Sequence, residues 1–175
     1  MDTAEHPIRL PMSLTDGVVR LDTHRLEDAP EDLAGEDAEI RRRFDGGRPT
    51  TLAEAEDAIR RYTARRAAAG PEVTYALRLP DGTLIGGAEI RRPAGERADV
   101  GYWVFAAFRG NRYARRALAL LCQAAAEHID GLVDISAHIE PDNLASRRTA
   151  EAAGFVEAGT IVENGVVRLE FIRTL

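Results

Sequence analysis

Two hairpin signals constrain the fold of this sequence more than any other feature. Segments 73–79 (VTYALRL) and 83–90 (TLIGGAEI) have the composition of strands and flank the turn residues Pro-Asp-Gly. Segments 155–162 and 166–175 flank Glu-Asn-Gly in the same way. A hairpin joins antiparallel neighbours, whereas a dinucleotide-binding fold alternates parallel strands with helices. Because the sequence also lacks a Gly-x-Gly-x-x-Gly motif, that fold is excluded.

Helix and strand patterns fill the rest of the chain. Further strands are predicted at 18–24, 99–105 and 132–140, and helices at 26–34, 37–44, from Thr51 to Gly70, 111–128 and 143–153. Thr51 and Glu54 are predicted to form a capping box, and Gly154 is placed to end the last helix. We predict an α/β (α+β) fold in which residues 1–175 form a single domain.

The charge balance excludes two classes of partner. The chain has 23 basic and 29 acidic residues, and the net charge of −6 argues against binding to nucleic acid or to a membrane surface. No stretch approaches the roughly 20 apolar residues of a membrane-spanning helix. All basic residues are arginines, so the lysine of a P-loop or of Schiff-base chemistry is missing.

A single cysteine, Cys122, rules out an intrachain disulfide and indicates a reducing, cytoplasmic location. It belongs to an apolar stripe on the helix at 111–128, formed by Leu118, Leu121, Cys122, Ala125 and Ile129. A packed core thiol is therefore favoured over a nucleophile. No metal site is predicted, because the histidines lack the spacing of metal ligands.

Segment 108–121 (FRGNRYARRALALL) places four arginines at the start of a predicted helix. The positive end of the helix dipole disfavours this arrangement unless an anion binds there. Unpaired N–H groups at a helix start bind phosphate, arginine adds forked contacts, and Gly110 permits close approach of the backbone. Alternatively, Arg109 pairs with a nearby carboxylate while Arg115 and Arg116 are solvated.

Three motifs together resemble the acetyl-CoA-dependent N-acyltransferases of the GNAT superfamily. They are GYWVF (101–105), RGNRYARRAL (109–118) and the pattern N-x-x-S-x-x-x-A-x-x-x-G-F (143–155). The resemblance extends over residues 18–175 in element order, and it is closest to the RimJ/RimL-like branch. It implies the GNAT fold, a single mixed, mostly antiparallel central sheet that is flanked by helices and splayed where acetyl-CoA binds.

The resemblance also implies a cofactor site. In the family, the strand at 99–105 diverges from the strand at 132–140, and backbone groups of Val104 and Phe105 bind the pantetheine arm. The family's pyrophosphate loop falls on Arg109, Gly110, Asn111, Arg112, Tyr113 and Ala114, with Arg115 beside it.

Arg112 stands where the family has its most characteristic glycine. Its side chain either obstructs the close approach of the backbone to phosphate or swings outward and binds phosphate itself. We favour the second interpretation, because the backbone N–H is retained whichever side chain is present.

Two polar residues at the start of the last helix match the family's pattern. Asn143 is predicted to contact the cofactor, and it is also suited to cap the helix. Ser146 is predicted to act as general acid or orienting group for the leaving thiolate. Many relatives outside this branch use a tyrosine, and that position is Ala150 here.

A general base and acceptor contacts are predicted on the strands. Glu89 is our candidate base, acting through water, and the alternative is a strand charge paired with Arg91 or Arg78. Trp103 and His138 are predicted to contact the acceptor. The imidazole of His138 suits proton transfer, and the alternative is a satisfied surface histidine.

The sequence therefore predicts an enzyme that transfers an acetyl group from acetyl-CoA directly to an amine, either a protein N-terminus or a small molecule. Acidic Glu36, Asp37 and Asp45 indicate a cationic acceptor or are merely solvated. The rival prediction is a non-catalytic acyl-CoA-binding or interaction module that keeps the fold. A monomer and a homodimer both remain open.

Overall fold

One open sheet of eight strands organises the computed structural model, which describes residues 7–44 and 46–175. The strands are Ser13–Thr15 (β1), Arg20–Asp22 (β2), Glu72–Arg78 (β3), Leu84–Ala94 (β4), Arg97–Val104 (β5), Asp134–Ile139 (β6), Val156–Glu163 (β7) and Val166–Thr174 (β8). They lie in the order β1-β2-β3-β4-β5-β6-β8-β7. The pair β5–β6 is parallel and the other neighbouring pairs are antiparallel, so the sheet is mixed and mostly antiparallel, as predicted.

Five α-helices lie within the described residues. They are Ala29–Gly35 (α1), Ala38–Phe44 (α2), Leu52–Ala67 (α3), Tyr113–His128 (α4) and Leu144–Ala152 (α5). α1 contacts β4 and α3 contacts β3. α4 contacts β4 and β5, and α5 contacts β6. In this part of the chain, no helix combines the length and the apolar character needed to cross a bilayer.

Alternation along β3 separates the two faces of the sheet. Tyr75 and Leu77 belong to the large core that also contains Leu118 and Leu121 of α4. Ala76 points the other way, into a small cluster beside α2. α4 and α5 therefore cover one face, and α1, α2 and α3 cover part of the other.

Local sequence signals account for several elements. Both predicted hairpins are confirmed, since β3 pairs with β4 and β7 pairs with β8. The capping box is confirmed as well. Glu54 N–H donates to the Thr51 hydroxyl (3.3 Å), and Thr51 N–H donates to the Glu54 carboxylate (2.8 Å). The apolar stripe of α4, with Cys122, is buried as predicted.

Several predicted boundaries differ from the structure, and two of the differences have a clear cause. The strand expected at 18–24 is only Arg20–Asp22, and it pairs with β1, which was not predicted. Three residues are too few to show a periodic pattern. α4 begins at Tyr113 rather than Asn111 because Arg112 has a left-handed conformation, which is incompatible with the helix.

The parallel pair β5–β6 is joined over only a short stretch. Arg97–Asp99 pair with Asp134–Ser136, yet β5 continues to Val104 and β6 continues to Ile139. Beyond Asp99 the two strands are no longer paired. The predicted splay is therefore present, and it opens a gap through the sheet.

Candidate active site

The divergence of β5 and β6 opens a cleft of about 660 Å³. On the side of α4 and α5 it is bordered by Tyr113, Asn143 and Ser146. On the opposite face of the sheet it is bordered by Glu89 and His138. One cleft therefore brings together the predicted cofactor loop and the predicted catalytic residues.

The loop between β5 and α4 has the shape of an anion cradle. A 3₁₀ turn, Ala106–Phe108, is followed by Gly110 and Arg112, which both adopt the left-handed conformation (φ 81° and 63°). Arg116 N–H donates to the Arg112 carbonyl at the start of α4, so the preceding N–H groups have no helical partner. A Cβ on Gly110 would meet no atom within 4 Å. Glycine at position 110 is therefore explained by the left-handed backbone conformation and not by a lack of space for a side chain.

Arg109 is held by a carboxylate. Its guanidinium forms a forked ion pair with Asp37 (Nη1–Oδ2 2.7 Å, Nη2–Oδ1 3.1 Å), and its Nε donates to the Val104 carbonyl (2.9 Å). The hydrogen bond from Arg109 lowers the pKa of Asp37. This is the alternative interpretation of the sequence. A role for Arg109 in phosphate binding requires it to exchange Asp37 for phosphate, and it stays a prediction.

The other three arginines of the loop and helix start divide into two groups. Arg116 is ion-paired with Asp16 (2.7 Å). The side chains of Arg112 and Arg115 have no hydrogen-bond or ion-pair partner among residues 7–44 and 46–175. The predicted anion site therefore narrows to these two side chains and the N–H groups beside them.

The conformation of Arg112 explains why glycine is characteristic at this position. Its φ of 63° and ψ of 15° lie in the left-handed region, which costs a residue with a Cβ about 1–2 kcal/mol. The position therefore needs conformational freedom, and arginine accepts the strain. Because Arg112 borders the cleft, its side chain is within reach of an anion bound there.

Arg112→Gly is expected to raise stability and weaken cofactor binding at the same time. Release of backbone strain, offset in part by the freer unfolded chain, adds about 0.5–1 kcal/mol to the free energy of unfolding. Loss of a charged contact weakens CoA binding by about 10- to 100-fold. Urea unfolding and calorimetric titration of CoA check both effects.

Arg112→Ala is the matched control, because it removes the same contact and keeps the strained Cβ. Tighter CoA binding by Arg112→Gly than by the wild type would show that the arginine obstructs the loop.

Phe105, one of the two residues whose backbone was predicted to bind the pantetheine arm, is bonded within the sheet. The Phe105 N–H donates to the Ile85 carbonyl on β4 (2.9 Å), so it faces away from the gap. Because consecutive residues in a strand point their backbone groups to opposite edges, Tyr102 and Val104 face the gap. Tyr102 was not predicted from the sequence, because the edge to which its backbone points depends on how β5 pairs with β4.

α5 begins beside the cleft with a capped first turn. Asn143 Oδ1 accepts a hydrogen bond from Ser146 N–H (3.1 Å), as the capping prediction requires. The Ser146 side chain has no hydrogen-bond partner in the described part of the chain. The Tyr102 hydroxyl donates to the Ser146 carbonyl (3.0 Å), and burial raises the pKa of Tyr102 to about 12. The hydroxyl of Tyr102 therefore lies at the start of α5, near Ser146.

Gly101 leaves a hollow between Glu89 and His138. Glu89 is the register partner of Gly101, and His138 lies two residues beyond Ser136, the partner of Asp99. Glu89 and His138 therefore flank Gly101 on one face of the sheet. A Cβ at Gly101 would lie 3.0 Å from Glu89 Oε1, so a larger residue would crowd the carboxylate.

The environment of Glu89 is suited to a base. Burial raises its pKa, Arg91 opposes this shift and Glu72 adds to it. Arg78, one of the partners considered above, instead bonds Asp28 (2.6 Å). Among the described residues, no hydrogen bond ends on the Glu89 carboxylate.

His138 lies in the cleft, with only 15% of its side chain exposed. Its Nε2 is 3.9 Å from carboxylate oxygens of Asp99 and Glu170, and its Nδ1 is 4.0 Å from Glu163. Three carboxylates therefore surround the imidazole, and none of them lies within hydrogen-bond distance of it. The structure thus disfavours an ordinary surface histidine, while contact with an acceptor stays a prediction.

Trp103 forms part of the same wall. Its indole packs against Gly87, where a Cβ would lie 2.2 Å from the ring, and it meets Phe44 edge-on at 5.7 Å. The side chain therefore has a fixed position at the border of the cleft.

α2 is tied to the rim of the cleft. Arg42 and Arg43 bond Glu140 and Asp142, which follow β6, at 2.8 to 3.2 Å. At its other end, Asp37 bonds the arginine that follows β5. α2 is therefore anchored beside both diverging strands.

Two of the acidic residues expected to attract a cationic acceptor are bonded to arginines. Glu36 accepts a hydrogen bond from Arg41 (3.2 Å), and Asp37 is bonded to Arg109 (2.7 Å). Asp45 lies outside the described residues. Glu36 and Asp37 are therefore not free for an acceptor, because nearby arginines neutralise them.

The fold and the cleft together define a class of protein. The sheet opens at its parallel pair, arginine side chains without a partner in the described chain and a helix start lie on one side, and the half-buried Glu89 carboxylate lies on the other. This arrangement suits a transferase that passes an extended, phosphate-bearing cofactor through its sheet to a nucleophile. The family model of the acetyltransferase (GNAT) domain matches residues 19–156, and the chain belongs to this family. It is an acetyl-CoA-dependent N-acetyltransferase.

Solved structures share the fold. Mycobacterium smegmatis RimJ in complex with CoA-disulfide has a TM-score of 0.73 and 23% identity, over 96% of this chain and 85% of that one. RimL, a ribosomal L7/L12 α-N-protein acetyltransferase in complex with coenzyme A, has a TM-score of 0.77 and 15% identity, over 94% of this chain and 97% of the RimL chain. Aminoglycoside acetyltransferase AAC(6')-Ib in complex with coenzyme A has a TM-score of 0.74 and 19% identity, over 89% of this chain and 94% of the AAC(6')-Ib chain. No curated protein matches the sequence.

Proposed function

We propose that the acetyl group is transferred directly to an amine bound in the hollow over Gly101, between Glu89 and His138. The observation that carries this proposal is the single cleft, which joins the start of α4 to that hollow through the sheet. An acyl-cysteine intermediate is disfavoured, because burial raises the pKa of Cys122 to about 11 and holds the thiol inert.

The side of the cleft next to α4 and α5 fits acetyl-CoA. Arg112, Arg115 and the N–H groups from Gly110 to Ala114 would hold its phosphates. On the edge of β5 that faces the gap, the backbone of Tyr102 and the N–H of Val104 would hold the pantetheine arm by strand-like hydrogen bonds. The Val104 carbonyl already accepts a hydrogen bond from Arg109. When bound, the cofactor supplies a thioester carbonyl that the amine attacks as the thiolate departs.

The residues of the chain would divide the proton transfers between them. Glu89 accepts a proton from the acceptor's ammonium group, directly or through water, and its raised pKa makes it a stronger base than an exposed carboxylate. Ser146 donates a hydrogen bond or proton to the sulfur. Tyr102 donates its hydroxyl proton to the Ser146 carbonyl, so its role is to position the first turn of α5.

Ser146→Ala is expected to lower kcat by up to about 100-fold, the low end for general acid catalysis, because the thiolate is already a fair leaving group. The Asn143 cap bonds the backbone N–H of residue 146, so stability and CoA affinity should be unchanged. Steady-state kinetics and thermal unfolding on one preparation measure both.

Thr149→Ala is the matched control, since this hydroxyl bonds the Ala145 carbonyl on the same helix (2.9 Å). A normal kcat with a lowered melting temperature would leave Ser146 a structural residue.

For the acceptor, we propose a protein N-terminus or a small-molecule amine. The names of two structural neighbours support both, since RimL is named for a protein α-amine and AAC(6')-Ib for aminoglycosides. The RimJ/RimL-like motifs and fold support placing the chain in that branch. We also propose that it acts in the cytoplasm, on the basis of its one cysteine, and that its single sheet is one domain.

The experiment that tests this function is release of free CoA thiol from acetyl-CoA in the presence of a panel of amines and N-terminal peptides. Release that depends on the acceptor, with a mass increase of one acetyl group, supports the proposal. CoA binding without release for any member would favour the rival interpretation, a non-catalytic acyl-CoA-binding module.

A further inference from the structure

A second cavity of about 440 Å³, here called the side chamber, adjoins the cleft beneath α1 and α3. It shares four lining residues with the cleft, which are Ile40, Phe44, Glu89 and Trp103. Its volume is within the range of small-molecule sites. The side chamber therefore begins where the proposed base lies and extends away from the cofactor.

The side chamber is rich in carboxylates. Those that line it are Asp32, Glu36, Glu54, Asp57 and Glu89, against two arginines, Arg48 and Arg61. Three of the carboxylates are hydrogen-bonded to neighbours: Glu36 to Arg41 and Thr50, Glu54 to Arg48 and Thr51, and Asp57 to Arg60. Asp32 and Glu89 accept no hydrogen bond or ion pair in the described part of the chain.

The half-buried Asp32 carboxylate has no ion-pair partner in the described part of the chain. Arg78, a buried arginine whose charge acts on Asp32, is bonded to Asp28 (2.6 Å), which lies four residues before Asp32. Burial raises the pKa of Asp32 to about 7, the charges of Asp28 and Glu36 add to the shift, and Arg78 opposes it. The fold thus keeps an unneutralised carboxyl group facing a cavity.

Aromatic side chains join the two free carboxylates. Tyr62 lines the side chamber, and after burial the charges of Glu89 and Asp32 are the main contributors that raise its pKa to about 12. Phe44 and Trp103 form the wall next to the cleft. Aromatic faces combined with carboxylates are typical of sites for organic cations.

We propose that the side chamber binds a second, positively charged group of the acceptor, with Asp32 as its counter-ion, while the reacting amine lies beside Glu89. The acceptor is then a small molecule with at least two cationic nitrogens. This inference rests on the proposed function and narrows its acceptor class. A protein N-terminus without a second cation near the reacting amine would leave Asp32 unneutralised.

The test compares 1,5-diaminopentane with pentylamine, which has the same carbon chain and one amine. The wild type should prefer the diamine, and Asp32→Asn should raise KM for the diamine by about 10- to 100-fold, the range for a lost charged contact, without changing the kinetics of pentylamine. Glu56→Gln removes a carboxylate of the same helix that is bonded to Arg60 and does not line the side chamber, so it should keep the preference. The proposal would be overturned if Asp32→Asn and the control variant raised KM for the diamine equally. It would also be overturned if Asp32→Asn weakened the reaction of both amines equally.

A second measurement does not depend on turnover. Without acetyl-CoA, the diamine should raise the melting temperature of the wild type and not that of Asp32→Asn, whose isosteric amide also relieves repulsion from Asp28 and Glu36. Neither amine need be acetylated for this measurement. If neither is acetylated and the diamine still stabilises the wild type and not Asp32→Asn, transfer to these amines is ruled out, while binding of the diamine in the side chamber is supported. Mg²⁺ could instead raise the melting temperature of the wild type where the diamine does not. If Asp32→Asn then lost this effect, the side chamber would bind a metal cation, and the proposal of an amine would be overturned.

Discussion

Glu89→Gln is expected to lower kcat by about 10²- to 10⁴-fold, the usual range for removal of a general base. Glutamine keeps the shape of the side chain in the hollow over Gly101 but cannot accept a proton. The dissociation constant for CoA should be unchanged, because Glu89 lies on the face opposite α4 and α5. Steady-state kinetics with a saturating acceptor and calorimetric titration of CoA measure these two quantities.

The pH profile distinguishes a base from a structural carboxylate. Glu89 must be ionised to accept a proton, and burial raises its pKa, so kcat should fall on the acid side at a higher pH than for an ordinary carboxylate. Glu89→Gln should lack this limb. The raised pKa also means that ionisation of Glu89 opposes folding as pH rises, so the variant should lose no stability at neutral pH.

Glu72→Gln is the matched control, since Glu72 lies on the next strand and bonds Arg65 (2.7 Å). It should keep nearly full activity. Should Glu89→Gln retain kcat and the acid limb, another group is the base.

Arg78→Met is expected to lower the free energy of unfolding by about 3–5 kcal/mol at neutral pH, the cost of breaking a buried ion pair from one side. Arg78 is 3% exposed and bonds Asp28 at 2.6 Å beneath the side chamber. Methionine is of similar length and leaves Asp28 buried and unpaired. Urea unfolding at pH 7 gives the difference.

Two companion variants show whether the ion pair is the cause. Asp28→Asn in the Arg78→Met background should recover much of the loss, because it removes the uncompensated charge. Arg97→Met breaks an exposed pair with Glu170 and should cost less than about 1 kcal/mol. A loss in Arg78→Met no larger than in Arg97→Met would show that burial does not strengthen the Arg78 pair.

The signals that predicted the fold are those whose physical cause is local. The two hairpins depend on turn residues and the strands beside them, and the Thr51–Glu54 box needs residues three apart. The apolar stripe of α4 depends only on helical spacing. β1 was missed because three residues carry no periodic signal.

The site was predicted in position and only partly in detail. A motif predicted Ser146 at the cofactor site, and strand positions predicted Glu89 and His138 beside it; all three border one cleft in the structure. They did not reveal that Phe105 turns its N–H toward β4 or that Tyr102 faces the gap. The edge to which a residue points depends on the strand register, and a slip of one residue reverses it.

By itself, the sequence determined the order of the elements, the arginine-rich helix start and the identity of the residues at the cleft. Only the tertiary structure decided how their charges are neutralised. Asp37 pairs with Arg109 from 72 residues away and Asp28 with Arg78 from 50, which leaves Arg112, Arg115 and Asp32 free of partners in the described chain. The strength of such a pair depends on distance and burial in the folded chain, and neither is encoded in the residues next to it.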